Sequence, residues 1–76
     1  MNTWPTTDHP DPFIGLMQMR LTEAGFTVPV TDWLDPATQD ALRRFQQWSQ
    51  LPVTGIIDRD SMVALWKATK RSYSPT

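Results

Sequence analysis

The sequence predicts an all-α fold, a compact three-helix bundle with a pseudo-twofold internal repeat and extended N- and C-terminal tails. Three segments open with residues that start helices, and a stretch of 15 residues recurs in related form 23 positions later. The chain has 76 residues and no cysteine, so it forms one domain whose core holds without disulfides. Pro5 and Pro10 disfavour a helix at the start, so we expect an arm at 1–10, a domain at 11–70 and a tail at 71–76.

The first helix is predicted over residues 12–24. Asp11 supplies a carboxylate that caps free backbone N–H groups, and Pro12 suits the first helical position. Gly25 is the residue type that commonly follows a helix end in a left-handed conformation. Apolar residues recur at helical spacing and predict the face turned to the core: Phe13, Leu16, Met17, Leu21 and Ala24.

The second and third helices, predicted over 36–49 and 59–70, start in the same way. Asp35 precedes Pro36, Pro52 forbids continuation of the second helix, and Asp58 caps the third. The predicted core face of the second helix carries Thr38, Ala41, Leu42, Phe45 and Trp48. The predicted core face of the third carries Met62, Leu65, Trp66 and Thr69.

The internal repeat aligns residues 28–42 with residues 51–65 without a gap, and six aligned positions are identical. Each copy reads as a loop, a turn, an apolar residue, a capping aspartate and a helix. The turn falls at Asp32 or Gly55, where glycine suits positive φ and aspartate tolerates it at some cost. Leu34 and Ile57 are expected to plug the core at equivalent places. We therefore predict two units packed about a pseudo-twofold axis, with the first helix completing the bundle.

The composition argues against an enzyme, a cofactor or a metal site. Glu23 is the only glutamate, and the aspartates concentrate at predicted caps, so no carboxylate pair emerges for acid–base chemistry. The single histidine, His9, lies in a proline-rich arm with nothing to orient it. Without cysteine, and with three glycines, neither a thiolate metal cluster nor a phosphate-binding glycine loop is expected.

Charge and hydropathy also argue against two kinds of partner. The net charge of −1 gives no field that attracts nucleic acid. The third predicted helix opens with Asp58, Arg59 and Asp60, and its carboxylates oppose phosphate. No stretch is long and apolar enough to span a bilayer, so no membrane insertion is expected.

Three spaced motifs carry a resemblance to a known family. They are L-x4-L-x3-G-F at residues 16–26, L-D-P-A-T-x2-A-L-x2-F-Q at 34–46 and L-P-V-T-G-I-I-D-x2-S-x2-A-L at 51–65. Together they resemble the peptidoglycan-binding domain family over about residues 13–66. The resemblance implies a three-helix fold with internal pseudo-symmetry and a non-catalytic module that places other activities on bacterial peptidoglycan. The chain departs from the family at Asp32 and Asp35, where glycine is usual, and at Gln50, which suggests altered loops.

Six residues are candidates for ligand binding: Trp33, Arg43, Arg44, Gln46, Trp48 and Trp66. Trp33 is equally well read as a partly buried loop ring or as a stacking platform for a sugar or peptide. Trp48 and Trp66 lie on or beside the apolar faces, which favours packing in the core or at its rim. For Gln46, bonding to the loop is favoured over a ligand amide. The two arginines are read first as a solvated face, with pairing to a stem-peptide carboxylate as the functional hypothesis.

The function predicted from these residues is peptidoglycan binding, as part of a larger assembly. The alternative is a structural or docking protein of a phage virion or contractile injection particle, with Trp4 and Tyr73 on the tails as docking residues. The start lacks the basic and apolar regions of a signal peptide. We therefore expect the protein to stay in the cytoplasm until lysis, or to reach the cell wall on a particle.

Overall fold

The computed structural model of the protein describes residues 9–69, which form three α-helices joined by loops. The helices are α1 (Pro12–Glu23), α2 (Pro36–Trp48) and α3 (Arg59–Thr69), and these residues contain no β-strand. The predicted all-α three-helix arrangement is confirmed, and the ends of α1 and α2 fall one residue before the predicted ones. The predicted docking residues Trp4 and Tyr73, residues 1–8 of the predicted arm and the predicted tail at 71–76 lie outside the described residues.

Each helix begins at a capping aspartate, as predicted. Asp11 accepts a hydrogen bond from the backbone N–H of Phe13 at 2.8 Å. Asp35 does so from Thr38 at 2.9 Å, and Asp58 from Ser61 at 2.8 Å. These bonds satisfy N–H groups that have no partner within the helix, and each such cap contributes about 1 kcal/mol.

The first two helices end in the same hydrogen-bond pattern. Gly25 and Gln50 adopt left-handed backbone angles, with φ of 103° and 62°. The next residue in each case donates its backbone N–H five residues back, Phe26 to Leu21 at 2.8 Å and Leu51 to Gln46 at 2.9 Å. This termination turns the chain sharply and places Phe26 and Leu51 at matching corners of the fold.

The core is formed by α1 lying against both α2 and α3, with one residue contributed by each loop. Its buried members are Ile14, Met17, Leu21, Val28, Ala41, Leu42, Phe45, Ile57, Met62 and Leu65. Leu34 and Ile57 both pack on this core, Leu34 half-buried and Ile57 at 4% exposure. Of the residues predicted on the core face of α1, Met17 and Leu21 are buried, and Phe13 and Ala24 pack on the core partly buried. The prediction missed Ile14 and Gln18, which are buried, whereas Leu16 is only half-buried.

A buried glutamine holds the first loop against α1. Gln18 is fully buried, and its Nε2 donates to the hydroxyls of Thr31 (3.0 Å) and Thr38 (2.8 Å) and to the carbonyl of Trp33 (3.0 Å). Its Oε1 accepts the backbone N–H groups of Thr31 (2.8 Å) and Asp32 (3.1 Å). One side chain therefore satisfies the loop backbone at the reversal, where no regular structure is available to do so.

A second buried glutamine holds the second loop against α2 with a matching set of bonds. Gln46 Nε2 donates to the hydroxyls of Thr54 (3.3 Å) and Ser61 (3.0 Å) and to the carbonyl of Ile56 (3.2 Å). Its Oε1 accepts the backbone N–H groups of Thr54 and Gly55, both at 2.9 Å. Every partner in this set lies 23 residues after its counterpart in the first, whereas the glutamines lie 28 apart.

The glutamines are five residues further apart than their partners because the two loops differ in length. Gln18 lies seven residues before the left-handed residue that ends its helix, and Gln46 lies four before its own. The first loop is two residues longer between the helix end and the clamped threonine. Because it is longer, it reaches about one helical turn further back along the preceding helix. The hydrogen bonds thus correspond pair by pair, while a twofold axis relating the two units stays a prediction.

The first loop lies along one face of α1 and meets it once per turn. The Thr22 hydroxyl accepts a hydrogen bond from the Val28 N–H and donates one to the Val28 carbonyl, each at 3.2 Å. At the other end of the helix, the Asp11 N–H donates to the Asp32 carbonyl at 2.8 Å. Between these points the Asp32 side chain lies directly on Gly15, where an added Cβ would collide with its Oδ1 and lie 3.2 Å from its Cγ. A side chain at position 15 would therefore force the Asp32 carboxylate to shift, which favours glycine here although glycine is a poor helix former.

In the second loop the glycine lies in the turn and the covering side chain comes from the helix. Gly55 is its left-handed residue, with φ of 71°, and Asp32 is the corresponding one in the first loop, with φ of 69°. Arg43 lies over Gly55, with its Nε 2.8 Å and its Cγ 3.1 Å from the place of an added Cβ. In the first unit a glycine of the helix, Gly15, lies under a side chain of the turn, Asp32. In the second unit a glycine of the turn, Gly55, lies under a side chain of the helix, Arg43.

We predict that Gly15→Ala lowers the free energy of unfolding by about 1–3 kcal/mol, because the new methyl group collides with the Asp32 carboxylate. Asp32→Gly in the same chain is expected to remove most of this loss. Urea denaturation of the wild type, both single variants and the double variant measures the coupling. Strictly additive effects of the two substitutions would contradict the contact.

Candidate functional site

Three of the predicted ligand residues take part in packing or in loop contacts. The Gln46 amide is fully buried and used by the second loop, as described above. Trp66 is half-buried, with its ring stacked on Phe13 at 5.7 Å and 7° and the Arg20 guanidinium carbon 4.3 Å from its centroid. Arg43 is exposed and covers Gly55.

Arg20 explains why Trp66 is held firmly between α1 and α3. Its side chain is only 6% exposed, and its Nη1 donates to the Thr69 hydroxyl at 2.8 Å. A guanidinium above an indole ring gains a cation–π attraction that is larger when water is excluded. The contact joins the last turn of α1 to the last turn of α3, which identifies Trp66 as a packing residue in this structure.

Trp33 lies on the first loop, and its ring is 43% exposed. Both backbone polar groups of Trp33 are hydrogen-bonded, because its carbonyl accepts from Gln18 and its N–H donates to the Thr31 hydroxyl at 3.2 Å. The exposed ring therefore projects from a rigid turn. In the second loop Ile56 takes the corresponding place and is 64% exposed.

A groove lies between the end of α1 and the outer face of α2. It has a volume of about 460 Å³, with residues 25–27 on one side and Ala37, Asp40, Ala41 and Arg44 on the other. The two alanines face the groove from successive turns of the helix, and their small side chains leave room for a ligand to approach α2. We call this the α2 groove.

The α2 groove carries both signs of charge. Arg44 Nε lies 3.1 Å from Asp40 Oδ2, and the two side chains are 71% and 55% exposed. An exposed pair one turn apart adds little to stability because water competes for both charges. Both side chains line the groove, so the Arg44 guanidinium lies at the groove with most of its side chain accessible to water. The arrangement suits a ligand with a carboxylate.

Trp48 lies one helical turn beyond Arg44 on α2. One edge of its ring packs on Phe26, which lines the groove, at 6.1 Å and 62°, and the ring also contacts the buried Phe45 at 6.0 Å. Trp48 is 65% exposed, so of the two predicted placements, in the core or at its rim, it takes the rim. The result is a largely exposed ring, supported by two phenylalanines and next to the groove wall at Phe26.

The start of α2 is set by a hydrogen-bonded carboxylate. Besides the Thr38 N–H, Asp35 accepts the Thr38 hydroxyl at 2.6 Å and the Thr31 hydroxyl at 3.1 Å. Burial acts to raise the pKa of Asp35, but the bonds from Thr38 and Thr31 outweigh it and lower the pKa below its ordinary 3.8. Since Gln18 donates to both of these hydroxyls, the loop clamp and the helix cap form one network.

The sequence reasoning missed several residues that shape the site. Gln18 went unnoticed because a glutamine in a helix usually faces water, yet its spacing from Ile14 and Leu21 places it on the buried face. Ala37 and Phe26 were read as family motif positions rather than as groove walls. The i, i+4 spacing of Asp40 with Arg44, and of Arg44 with Trp48, is the signal that would have grouped them.

A comparison with family models identifies the class of protein. A family model described as “Putative peptidoglycan binding domain” matches residues 10–65, which include α1, α2, most of α3 and the whole α2 groove. The chain belongs to this family, as the spaced motifs implied. No curated protein and no solved structure matches the chain.

Two further properties of the described residues bear on the site. Within residues 9–69, no three His, Cys, Asp or Glu side chains lie close enough together to hold a metal ion. Of the helices in that part of the chain, none has the length and apolar character needed to cross a membrane.

We predict that Asp35→Asn lowers stability at pH 7 by about 1 kcal/mol, because the amide cannot accept both threonine hydroxyls as the carboxylate does. Since folding lowers the pKa of Asp35, its charge stabilises the protein above the unfolded pKa, and this contribution is lost as pH falls through the folded pKa. The difference between variant and wild type should therefore shrink below about pH 4.

Urea denaturation in steps from pH 7 to pH 2 measures this difference. Asp40→Asn is the matched control, because it removes a carboxylate from the exposed face of the same helix. A gap between Asp35→Asn and wild type that stays constant down to pH 2 would contradict the assigned network.

Proposed function

We propose that this domain is a non-catalytic module that binds peptidoglycan through the α2 groove. One observation above all supports this proposal: an exposed cation, Arg44, lines a groove with small side chains, and an exposed indole ring, Trp48, lies one helical turn further along and packs on Phe26 of the groove wall. Membership of the peptidoglycan-binding family supports the choice of ligand. Peptidoglycan offers carboxylates on its peptide stems and apolar faces on its sugars.

Each part of the groove has a separate role in this proposal. The planar Arg44 guanidinium donates two parallel hydrogen bonds to a stem carboxylate, and its Nε stays paired with Asp40. The free face of Trp48 stacks on a sugar ring or a peptide methyl group. Ala37 and Ala41 let the ligand backbone approach the helix closely.

A module that binds without reacting serves by holding something else at its ligand. We therefore propose that it works as part of a larger assembly, with the α2 groove facing the wall. Asp35 and Asp58 cap helices, and Asp40 is ion-paired with Arg44, so these carboxylates already have structural uses. This supports a role in binding rather than in acid–base chemistry.

A second candidate is a docking role in a particle such as a phage virion or contractile injection device. It is favoured by an apolar groove of about 240 Å³ between α1 and α3, lined by Phe13, Met62, Val63 and Trp66. Such a lining suits an apolar side chain of a partner protein better than a sugar. If the wild type is not retained by peptidoglycan at any salt concentration, this docking role becomes the preferred function.

We predict that Arg44→Ala and Trp48→Ala each lower retention on insoluble peptidoglycan by about tenfold, since each removes one of the two principal contacts. The loss from Arg44→Ala should diminish at high salt, where charge attraction is screened. The measurement is co-sedimentation at low and physiological salt, with circular dichroism to verify that each variant is folded.

Arg43→Ala is the matched control, because it removes the neighbouring arginine from α2 outside the groove. It should be retained like the wild type. A loss from Arg43→Ala as large as that from Arg44→Ala would show that overall charge, and not the α2 groove, governs binding.

A further inference from the structure

The outer face of α3 carries a second groove of nearly the same size. Its volume is about 430 Å³, and it lies between Leu51 at the end of the second helix and a row of α3 residues. That row consists of Arg59, Asp60, Val63, Ala64 and Lys67. We call this the α3 groove.

The two grooves correspond at two lining positions of their helices and differ at two others, where Asp60 and Val63 stand in place of Ala37 and Asp40. Ala64 lies 23 positions after Ala41, and Lys67 lies 23 positions after Arg44, so each groove has an alanine wall and a cation at the same helical places. The opposite wall also corresponds, because Phe26 and Leu51 each follow a left-handed residue that ends a helix.

This correspondence follows from the clamped loops. Gln18 and Gln46 each fold a loop back on the helix before it, and the loop then feeds a capped helix whose outer face lies beside the corner it has just left. Any unit built in this way leaves a groove at that corner. The fold therefore makes the same concave surface twice, once on α2 and once on α3.

We propose that the α3 groove is a second site for the carboxylate end of a peptidoglycan stem peptide, so that one domain binds its polymer at two points. This inference rests on the proposed function and extends it from one groove to two. Lys67 is the cation of the second site, as Arg44 is of the first.

The α3 groove differs from the α2 groove in charge, which indicates the chemistry of its ligand. Val63, 43% exposed, stands where the first groove has Asp40. Among residues 9–69 the one ion pair joins Arg44 and Asp40, so Lys67 has no carboxylate partner there. Asp60, which stands where the first groove has Ala37, also lines the α3 groove, but it lies seven residues, about two helical turns, before Lys67. An ammonium that no carboxylate of residues 9–69 pairs with, beside Val63 and Ala64, fits a carboxylate with a neighbouring methyl group, as in an alanine at the end of a stem peptide.

Two sites on one rigid domain would change how it binds a repeating polymer. Once one stem is held, a second stem on the same wall fragment is presented at high effective concentration. Binding to the polymer then exceeds binding to a single stem by a factor of about 10² or more when both sites can be reached together. A single soluble stem gains nothing from this, but it fills both grooves separately.

The test uses the full chain labelled with ¹⁵N and a soluble disaccharide-peptide monomer whose peptide ends in a free alanine carboxylate. Titration should shift two separate groups of amides, one at residues 25–27 and 37–44 and the other at residue 51 and residues 59–67. Lys67→Ala should abolish the second group and leave the first. Lys67→Arg should retain both, and the same monomer with its terminal carboxylate amidated should lose the second.

Retention on insoluble peptidoglycan supplies the second readout. Lys67→Ala should lower it by about tenfold or more, because loss of one of two sites removes the avidity. Lys67 is exposed, so the variant should unfold at the temperature of the wild type.

The possible failures are distinguishable. If the wild type binds the monomer only around the α2 groove and Lys67→Ala is retained like the wild type, the second site is overturned while the proposed function stands. If shifts appear only around the α3 groove, the second site stands and the α2 groove is not the binding surface. If neither the monomer nor the polymer binds, both proposals fall.

Discussion

The side-chain amides of Gln18 and Gln46 hold each loop against the helix before it, and the placement of α2 and α3 follows from those bonds. Each amide sits with no exposure to water and satisfies a loop backbone that has no strand or helix to pair with. Loss of either would leave several buried polar groups without partners, which costs more than the bonds contribute when made. The apolar core closes only because these two polar side chains bring the loops into place.

Much of the fold was predictable because its signals are local. An aspartate followed by proline starts a helix wherever it occurs, and the repeated Thr, Asp, Ala and Leu positions gave the turns, caps and core of both units. Gln18 was not predictable in the same way, since its partners lie 13 to 20 residues away and glutamine has no strong preference for burial. For Trp48 the spacing predicted packing in the core or at its rim, and only the positions of Phe26 and Phe45 show that the ring lies at the rim.

The candidate site depends on the fold in a direct way. The α2 groove exists because the chain turns at Gly25, runs back along α1 and re-enters a helix beside the corner. Its walls come from residues that the sequence presents as ordinary alanines and a helix-end phenylalanine. In the proposed site the chemistry comes from Asp40, Arg44 and Trp48, which follow one another at four-residue spacing on α2. Membership of the peptidoglycan-binding family supports the choice of ligand, and the groove is the reason for proposing these residues rather than the other candidates.

The two turns differ in how freely they can change. At the first, Asp32 rests on the bare backbone of α1 at Gly15, and a helix backbone cannot move aside for a larger neighbour. At the second, Gly55 lies under Arg43, a long exposed side chain that can swing into solvent. The second turn can therefore accommodate a larger side chain more easily than the first. Sequence variety introduced into this scaffold, whether by drift or by an engineer, should accumulate at residues 54–56 before it is tolerated at 31–33.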